Sequence, residues 1–120
     1  MSETPVIAIV EDDPSLRRSL LRVVESAGYR GEAFAGGREL FEWLPSGGAA
    51  CLVLDVHMTE MSGFEVQDRI NVPTIFITAH DDVATRLRIQ KSGAAGHLHK
   101  PFDAAALLEA IRRALVGQPG

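Results

Sequence analysis

Six polar side chains directly follow short apolar runs of this sequence. They are Glu11, Asp12 and Asp13 after the first run, Asp55 after the third, Thr78 after the fourth and Lys100 after the fifth. Clustered carboxylates raise one another's pKa unless a cation lies among them, and such oxygen ligands suit Mg²⁺. A carboxylate beside Mg²⁺ can attack a phosphoryl group, while a lysine neutralises the developing charge. A nearby hydroxyl can hydrogen-bond the resulting acyl phosphate.

Each of these residues also has an ordinary structural interpretation. Asp13 could simply cap a helix that begins at Pro14, Thr78 could end a strand, and Lys100 could be a surface charge. The combination at four different strand ends is harder to explain in this way. We therefore interpret the set as a site.

Apolar runs alternate five times with stretches of helical pattern. The runs are Val6 to Val10, a weaker one from Tyr29 to Phe34, Cys51 to Leu54, Thr74 to Ile77, and Gly96 to Leu98. Three of them are almost continuously apolar, which is typical of strands covered on both faces. The pattern predicts an α/β fold with a five-stranded parallel sheet and five helices on its two faces. Ligands bind at the carboxyl ends of such strands, where the six polar residues lie.

Capping residues mark the ends of the predicted helices. Pro14 begins the first helix after Asp13, and Gly28 closes it. The second lies around residues 38–44 and stops at Pro45. The remaining caps are Ser62 for a helix ending near Ile70, Asp81 or Asp82 for one ending at Gly93, and Asp103 for the last helix.

Length and composition favour one domain. The 120 residues suffice for a single core, with residues 116–120 predicted as a tail or linker. A net charge of -4 gives no general attraction to nucleic acid, and no apolar stretch is long enough for a membrane span. Cys51 is the only cysteine, so an internal disulfide is excluded, and we expect it in the core. These features predict a cytoplasmic protein.

The motifs together resemble a response-regulator receiver domain of the CheY-like superfamily over nearly the whole chain. They are Glu11-Asp12-Asp13, Asp55, Met61-Ser62-Gly63, Thr78-Ala79 and Lys100-Pro101-Phe102. The resemblance implies a doubly wound, flavodoxin-like sheet with strand order 2-1-3-4-5. The stretches Ile75 to His80 and Asp81 to Val83 further resemble receivers of LuxR-type transcription regulators.

The resemblance also implies a role for each site residue. Asp55 would accept a phosphoryl group from a sensor histidine kinase. Asp13, Asp55 and the backbone carbonyl of His57 would ligate Mg²⁺, for which Mn²⁺ can substitute, and Asp12 would act through a metal-bound water. Thr78 and Lys100 would bind phosphoryl oxygens, and Thr78 would move inward on activation. The Lys100–Pro101 peptide bond would be cis.

The sequence departs from the family pattern at three histidines and in one helix. His97 occupies the position of an aromatic switch residue and could rotate or simply lie exposed. His57 and His80 occupy positions that tune the lifetime of the phosphoryl group. Together with His99, these histidines match no zinc-binding pattern, and we interpret them as surface residues. The stretch between Gly63 and Pro73 is short, which predicts a truncated third helix.

Three functions compete for this sequence. The first is a signalling switch that assists its own phosphorylation and dephosphorylation without being an enzyme in the usual sense. It would control an output domain or partner and, through it, transcription, and in part of the family such a domain forms a phosphorylation-dependent homodimer. Kinase docking would use Ser15, Leu16 and Ser19 with Phe102. The alternatives are an aspartyl-phosphate phosphatase, which commonly has a second Asp where His57 stands, and a phosphate-independent interaction module.

Overall fold

Five strands alternate with five helices along the chain. The computed structural model describes residues 4–45 and 47–117. The strands are β1 (Val6–Val10), β2 (Arg30–Phe34), β3 (Cys51–Asp55), β4 (Thr74–Thr78) and β5 (Gly96–His99). The helices are α1 (Pro14–Ser26), α2 (Gly37–Trp43), α3 (Gly63–Asp68), α4 (Val83–Lys91) and α5 (Ala104–Val116).

The strands form one parallel sheet in the order β2-β1-β3-β4-β5. This confirms the predicted fold and strand order. Alternate residues of each inner strand enter two separate cores, because successive side chains point to opposite faces of the sheet. On one face Ile9 and Val53 pack with α1 and α5. On the other face Leu54 and Phe76 pack with α2, α3 and α4.

Side-chain caps fix where four of the helices begin. The carboxylate of Asp13 accepts hydrogen bonds from the backbone N–H groups of Ser15 and Leu16. Ser62, Asp82 and Asp103 cap α3, α4 and α5 in the same manner. Each cap satisfies a backbone N–H that has no partner within the helix, and so sets the loop that precedes it. The predicted caps are confirmed, with Asp82 chosen over Asp81.

Three smaller predictions concern α3, Cys51 and the tail. The third helix is short and ends at Asp68, slightly before the predicted end at Ile70. Cys51 is fully buried on β3, and this burial raises the pKa of its thiol to about 12, as expected for an inert core residue. Residue 116 still belongs to α5, so the predicted tail begins later, and residues 118–120 lie outside the described part of the chain.

The described helices are also informative about membranes. Within residues 4–45 and 47–117, none of the helices combines the length and the apolar character that crossing a bilayer requires.

Candidate functional site

The carboxyl ends of four strands bring the chemistry-bearing side chains together. Asp55 and Thr78 are the last residues of β3 and β4, and both are buried. Glu11 directly follows β1 and continues its ladder, because its N–H donates to the carbonyl of Phe34 at 3.0 Å. Lys100 follows β5, where its N–H donates to the carbonyl of Thr78 at 2.8 Å. Main-chain hydrogen bonds therefore fix the backbone of Glu11 and Lys100 at this edge of the sheet.

A partly buried ion-pair network forms the centre of this site. The Lys100 ammonium lies 3.1 Å from Glu11 Oε1 and 3.2 Å from Asp55 Oδ2. The two carboxylates are almost inaccessible, with side-chain exposures of 1% and 7%, whereas Lys100 is 23% exposed. Burial alone would lower the pKa of Lys100, but its contacts with Glu11 and Asp55 outweigh this and raise it. The lysine is therefore fully charged near neutral pH.

The two carboxylates of this network and that of Asp12 form a potential cation site. Oxygen atoms of Glu11, Asp12 and Asp55 all lie within 4.8 Å of one another. Burial raises the pKa of Glu11 to about 7, and the charge of Asp55 adds to the rise. Hydrogen bonds from the Asp13 N–H and from Lys100 oppose the increase without cancelling it. A cation among these oxygens would relieve the repulsion, and an all-oxygen donor set suits Mg²⁺.

The carboxylate of Asp13, a predicted metal ligand, lies outside this group of oxygens. Its side chain points along α1 as the N-cap, and only its backbone N–H reaches the site, donating to Glu11 Oε2 at 3.1 Å. Glu11 is instead the third carboxylate of the group. The sequence did contain an indication of this role, because Glu11 is the first residue after β1 and so lies at the carboxyl end of that strand.

Backbone N–H groups of two histidines hold the side chains of Asp55 and Thr78. The His57 N–H donates to Asp55 Oδ1 at 3.1 Å, and the His80 N–H donates to Thr78 Oγ1 at 2.9 Å. Both imidazoles are exposed, and their ring centroids lie only 4.1 Å apart. The side chains of His57 and His80 are therefore in contact, although they belong to two separate loops.

The remaining predicted site residues lie around the carboxylate group, nearer to the surface. Thr59 donates its hydroxyl to Asp12 Oδ2 at 3.2 Å, which links the loop after β3 to the loop after β1. The Lys100–Pro101 peptide bond is cis, as predicted. His97 lies exposed on β5. Ser15 and Ser19 are exposed, while Leu16 and Phe102 are partly buried, and together they line an open cleft beside Lys100.

Gly63 allows the loop after Asp55 to fold back onto β3. Its N–H donates to the carbonyl of Val56 at 2.9 Å. A Cβ atom at this position would lie 2.6 Å from the backbone oxygen of Asp55 and 3.0 Å from the Phe76 ring. Such contact with backbone cannot be relieved by rotating a side chain, so the site requires glycine here.

We therefore expect Gly63→Ala to destabilise the fold, although alanine is the better helix former. Overpacking against the Asp55 carbonyl should cost about 1–3 kcal/mol in the free energy of unfolding, measured by urea denaturation. Gly48→Ala is the matched control, because a Cβ there meets nothing within 4 Å. A Gly63→Ala chain as stable as the wild type would contradict the close approach.

Comparison with known proteins agrees with this geometry. The profile of the response regulator receiver domain family matches residues 7–112. Nodulation protein W of Bradyrhizobium diazoefficiens is 38% identical, over 92% of this chain and 51% of that protein. Transcriptional regulatory protein FixJ of Rhizobium meliloti is 32% identical, over 90% of this chain and 55% of that protein. The chain thus spans about half the length of these relatives.

A solved structure extends the agreement to three dimensions. A response regulator receiver protein from Burkholderia phymatum is 35% identical and superimposes with a TM-score of 0.86, covering 94% of this chain and 96% of that one. The family match, residues 7–112, includes Glu11, Asp12, Asp55, Thr78 and Lys100. The chain belongs to the response regulator receiver domain family.

Proposed function

We propose that this chain is a phosphorylation-activated switch in which Asp55 accepts a phosphoryl group from a phosphohistidine of a sensor histidine kinase. The observation that carries the proposal is the Lys100 ammonium bound to both Glu11 and Asp55, beside the grouped carboxylates. This arrangement holds an almost fully buried carboxylate next to a fixed positive charge. A dianionic phosphoryl group needs such neutralisation as it approaches an anionic nucleophile.

The donor set supports Mg²⁺ as the cation, with Mn²⁺ as a substitute. We assign Asp12, Asp55 and the backbone carbonyl of His57 as its protein ligands, and Glu11 as a carboxylate that acts through metal-bound water. This replaces Asp13, whose carboxylate is engaged as the helix cap. When bound, the ion neutralises charge on the phosphoryl oxygens and on the carboxylates around them.

The chain's own residues then carry the transfer. An oxygen of Asp55 attacks phosphorus, and the bond from phosphorus to the kinase histidine breaks, leaving a neutral imidazole after protonation. Lys100 stabilises the phosphoryl oxygens. The Thr78 hydroxyl, which donates to the His80 carbonyl at 3.4 Å, donates instead to another phosphoryl oxygen, and this shifts the domain toward its active state.

The metal assignment makes a direct prediction for two neighbouring acids. Asp12→Asn should weaken Mg²⁺ binding by about tenfold or more, because even partners of metal ligands commonly contribute that much. Asp13→Ser keeps a capping oxygen and should leave Mg²⁺ affinity close to that of the wild type. Isothermal titration calorimetry measures both. A larger loss for Asp13→Ser than for Asp12→Asn would return Asp13 to the ligand set.

Phosphatase activity is the alternative enzymatic function, and it predicts a different time course. Such enzymes use a second acid two residues after the nucleophile, where this chain has the exposed His57. We expect a small phosphodonor with Mg²⁺ to label the chain with one phosphoryl group and no more, whereas a phosphate-independent module would not be labelled. Continued turnover of a phosphomonoester, well beyond one equivalent, would favour the phosphatase.

The exposed surfaces around the site are where we place the contacts with partner proteins. We assign kinase docking to the cleft of Ser15, Leu16, Ser19 and Phe102, which lies beside Lys100. Exposed Val83 and Leu87 on α4, with His97 on β5, are our candidates for the surface that signals to an output domain or a second receiver.

We infer that the output is transcription, through a LuxR-type domain of a longer cytoplasmic protein, with no DNA contact from this domain. His57 and His80 are assigned to tuning the phosphoryl lifetime.

A further inference from the structure

Two histidine rings from separate loops lie in contact at the edge of the proposed phosphorylation site. The centroids of His57 and His80 are 4.1 Å apart, and the ring planes are inclined by 54°. Both residues are exposed, so a solute can reach the pair without opening the fold. Their separation of 23 positions (80 minus 57) matches no metal-binding motif, which is why sequence spacing alone did not associate them.

Two adjacent imidazoles favour a different class of cation from the carboxylates nearby. Mg²⁺ prefers oxygen ligands and octahedral geometry, whereas Cu²⁺ and Zn²⁺ prefer imidazole nitrogen. The grouped oxygens of Glu11, Asp12 and Asp55 form one donor set, and the His57–His80 pair forms another on the loops above Asp55 and Thr78. The two donor sets therefore favour different cations, Mg²⁺ at the carboxylates and a transition metal at the imidazoles.

We propose that His57 and His80 form a transition-metal site for Cu²⁺ or Zn²⁺, with water completing the coordination. It is distinct from the Mg²⁺ site and is built from side chains whose loops already bring them together. The exposed rings, already in contact, would have to turn and separate slightly so that one nitrogen of each faces a shared cation. The remaining histidines, His97 and His99, lie on β5 and are not part of this site.

A cation at this pair would restrain the switch, a consequence that rests on the proposed function. The N–H of His57 holds Asp55 Oδ1, and the N–H of His80 holds Thr78 Oγ1. The Thr78 hydroxyl also donates to the His80 carbonyl at 3.4 Å, and it must release this carbonyl before it can donate to a phosphoryl oxygen. A metal that joins the two imidazoles ties the two loops together and opposes that rearrangement. Accumulation of aspartyl phosphate should therefore slow when the site is filled.

The binding claim is tested by titrating Cu²⁺ into the whole chain in excess Mg²⁺ and recording electron paramagnetic resonance spectra. We expect one Cu²⁺ with nitrogen hyperfine structure from imidazole. His57→Gln or His80→Gln should weaken the apparent affinity by about tenfold or more, since lost ligands cost at least as much as their supporting partners. The double variant His97→Gln/His99→Gln is the control and should bind as the wild type does. Unchanged binding in both single variants, loss in the control, or a spectrum of oxygen ligands alone would overturn the proposal.

The regulatory claim is tested by the rate of labelling with a small phosphodonor and Mg²⁺, with and without Zn²⁺. We expect Zn²⁺ to slow labelling of the wild type and to lose this effect in His80→Gln. An equal effect of Zn²⁺ on both proteins would overturn it, because the ion would then act at the carboxylates. Failure of the wild type to label without Zn²⁺ would refute the proposed function, whereas the Cu²⁺ spectra would still decide the metal site.

Discussion

Lys100→Met is expected to slow formation of aspartyl phosphate by about 100-fold or more, the usual effect of removing one fixed charge-stabilising donor. It should also lower stability by about 3 kcal/mol, the lower end for a broken buried ion pair, because Glu11 and Asp55 remain buried without a cation that is itself 23% exposed. The first effect is measured by the rate of labelling with a small phosphodonor and Mg²⁺. The second is measured by urea denaturation.

Lys91→Met is the matched control for this substitution. Lys91 is exposed in the last turn of α4, away from the ion pairs of Lys100. The control should label and unfold much as the wild type does. A Lys100→Met chain that labels at a similar rate to this control would remove the lysine from the proposed mechanism.

Glu11→Gln should make the cation-free chain more stable at neutral and alkaline pH. Burial raises the pKa of Glu11 to about 7 in the folded chain, from an ordinary value of 4.5. A raised pKa means that the folded state holds the proton more tightly. The stability that this group contributes is complete below pH 4.5 and is lost as the pH rises through about 7. Glutamine cannot ionise, so the variant should gain on the order of 2 kcal/mol over the wild type above that range.

Denaturation in a chelating buffer, at pH values below and above this window, measures the gain. It should be present on the alkaline side and absent on the acidic side. Glu42→Gln, at an exposed position of α2, should show no such pH dependence. Glu11→Gln should also bind Mg²⁺ more weakly than the wild type. A stability difference that does not change with pH would contradict a buried, destabilised Glu11.

The fold and most of the site were predictable because each depends on local patterns. Nearly continuous apolar strands require helices on both faces, and caps such as Ser62 and Asp103 fix where helices begin. Once the sheet is parallel, the residues after its strands must share one edge. Asp55, Thr78 and Lys100 could therefore be placed together from the sequence alone.

The choice among Glu11, Asp12 and Asp13 could not be made in that way. Three consecutive acids lie between a strand and a helix, and their side chains point in different directions. The ladder bond from Glu11 to Phe34 extends β1 by one residue and turns Glu11 inward, while capping commits Asp13 to α1. The His57–His80 contact was likewise hidden, because it depends on the conformation of two loops that only tertiary structure brings together.

Intact mass spectrometry after incubation with a small phosphodonor and Mg²⁺ tests the central claim most directly. We expect the wild type to gain the mass of one phosphoryl group and Asp55→Asn to gain none. Asp13→Ser, which keeps the helix cap and lies outside the carboxylate group, should gain the same mass as the wild type. Absence of any gain in the wild type, while another receiver domain is labelled in parallel, would contradict the account, as would equal labelling of Asp55→Asn.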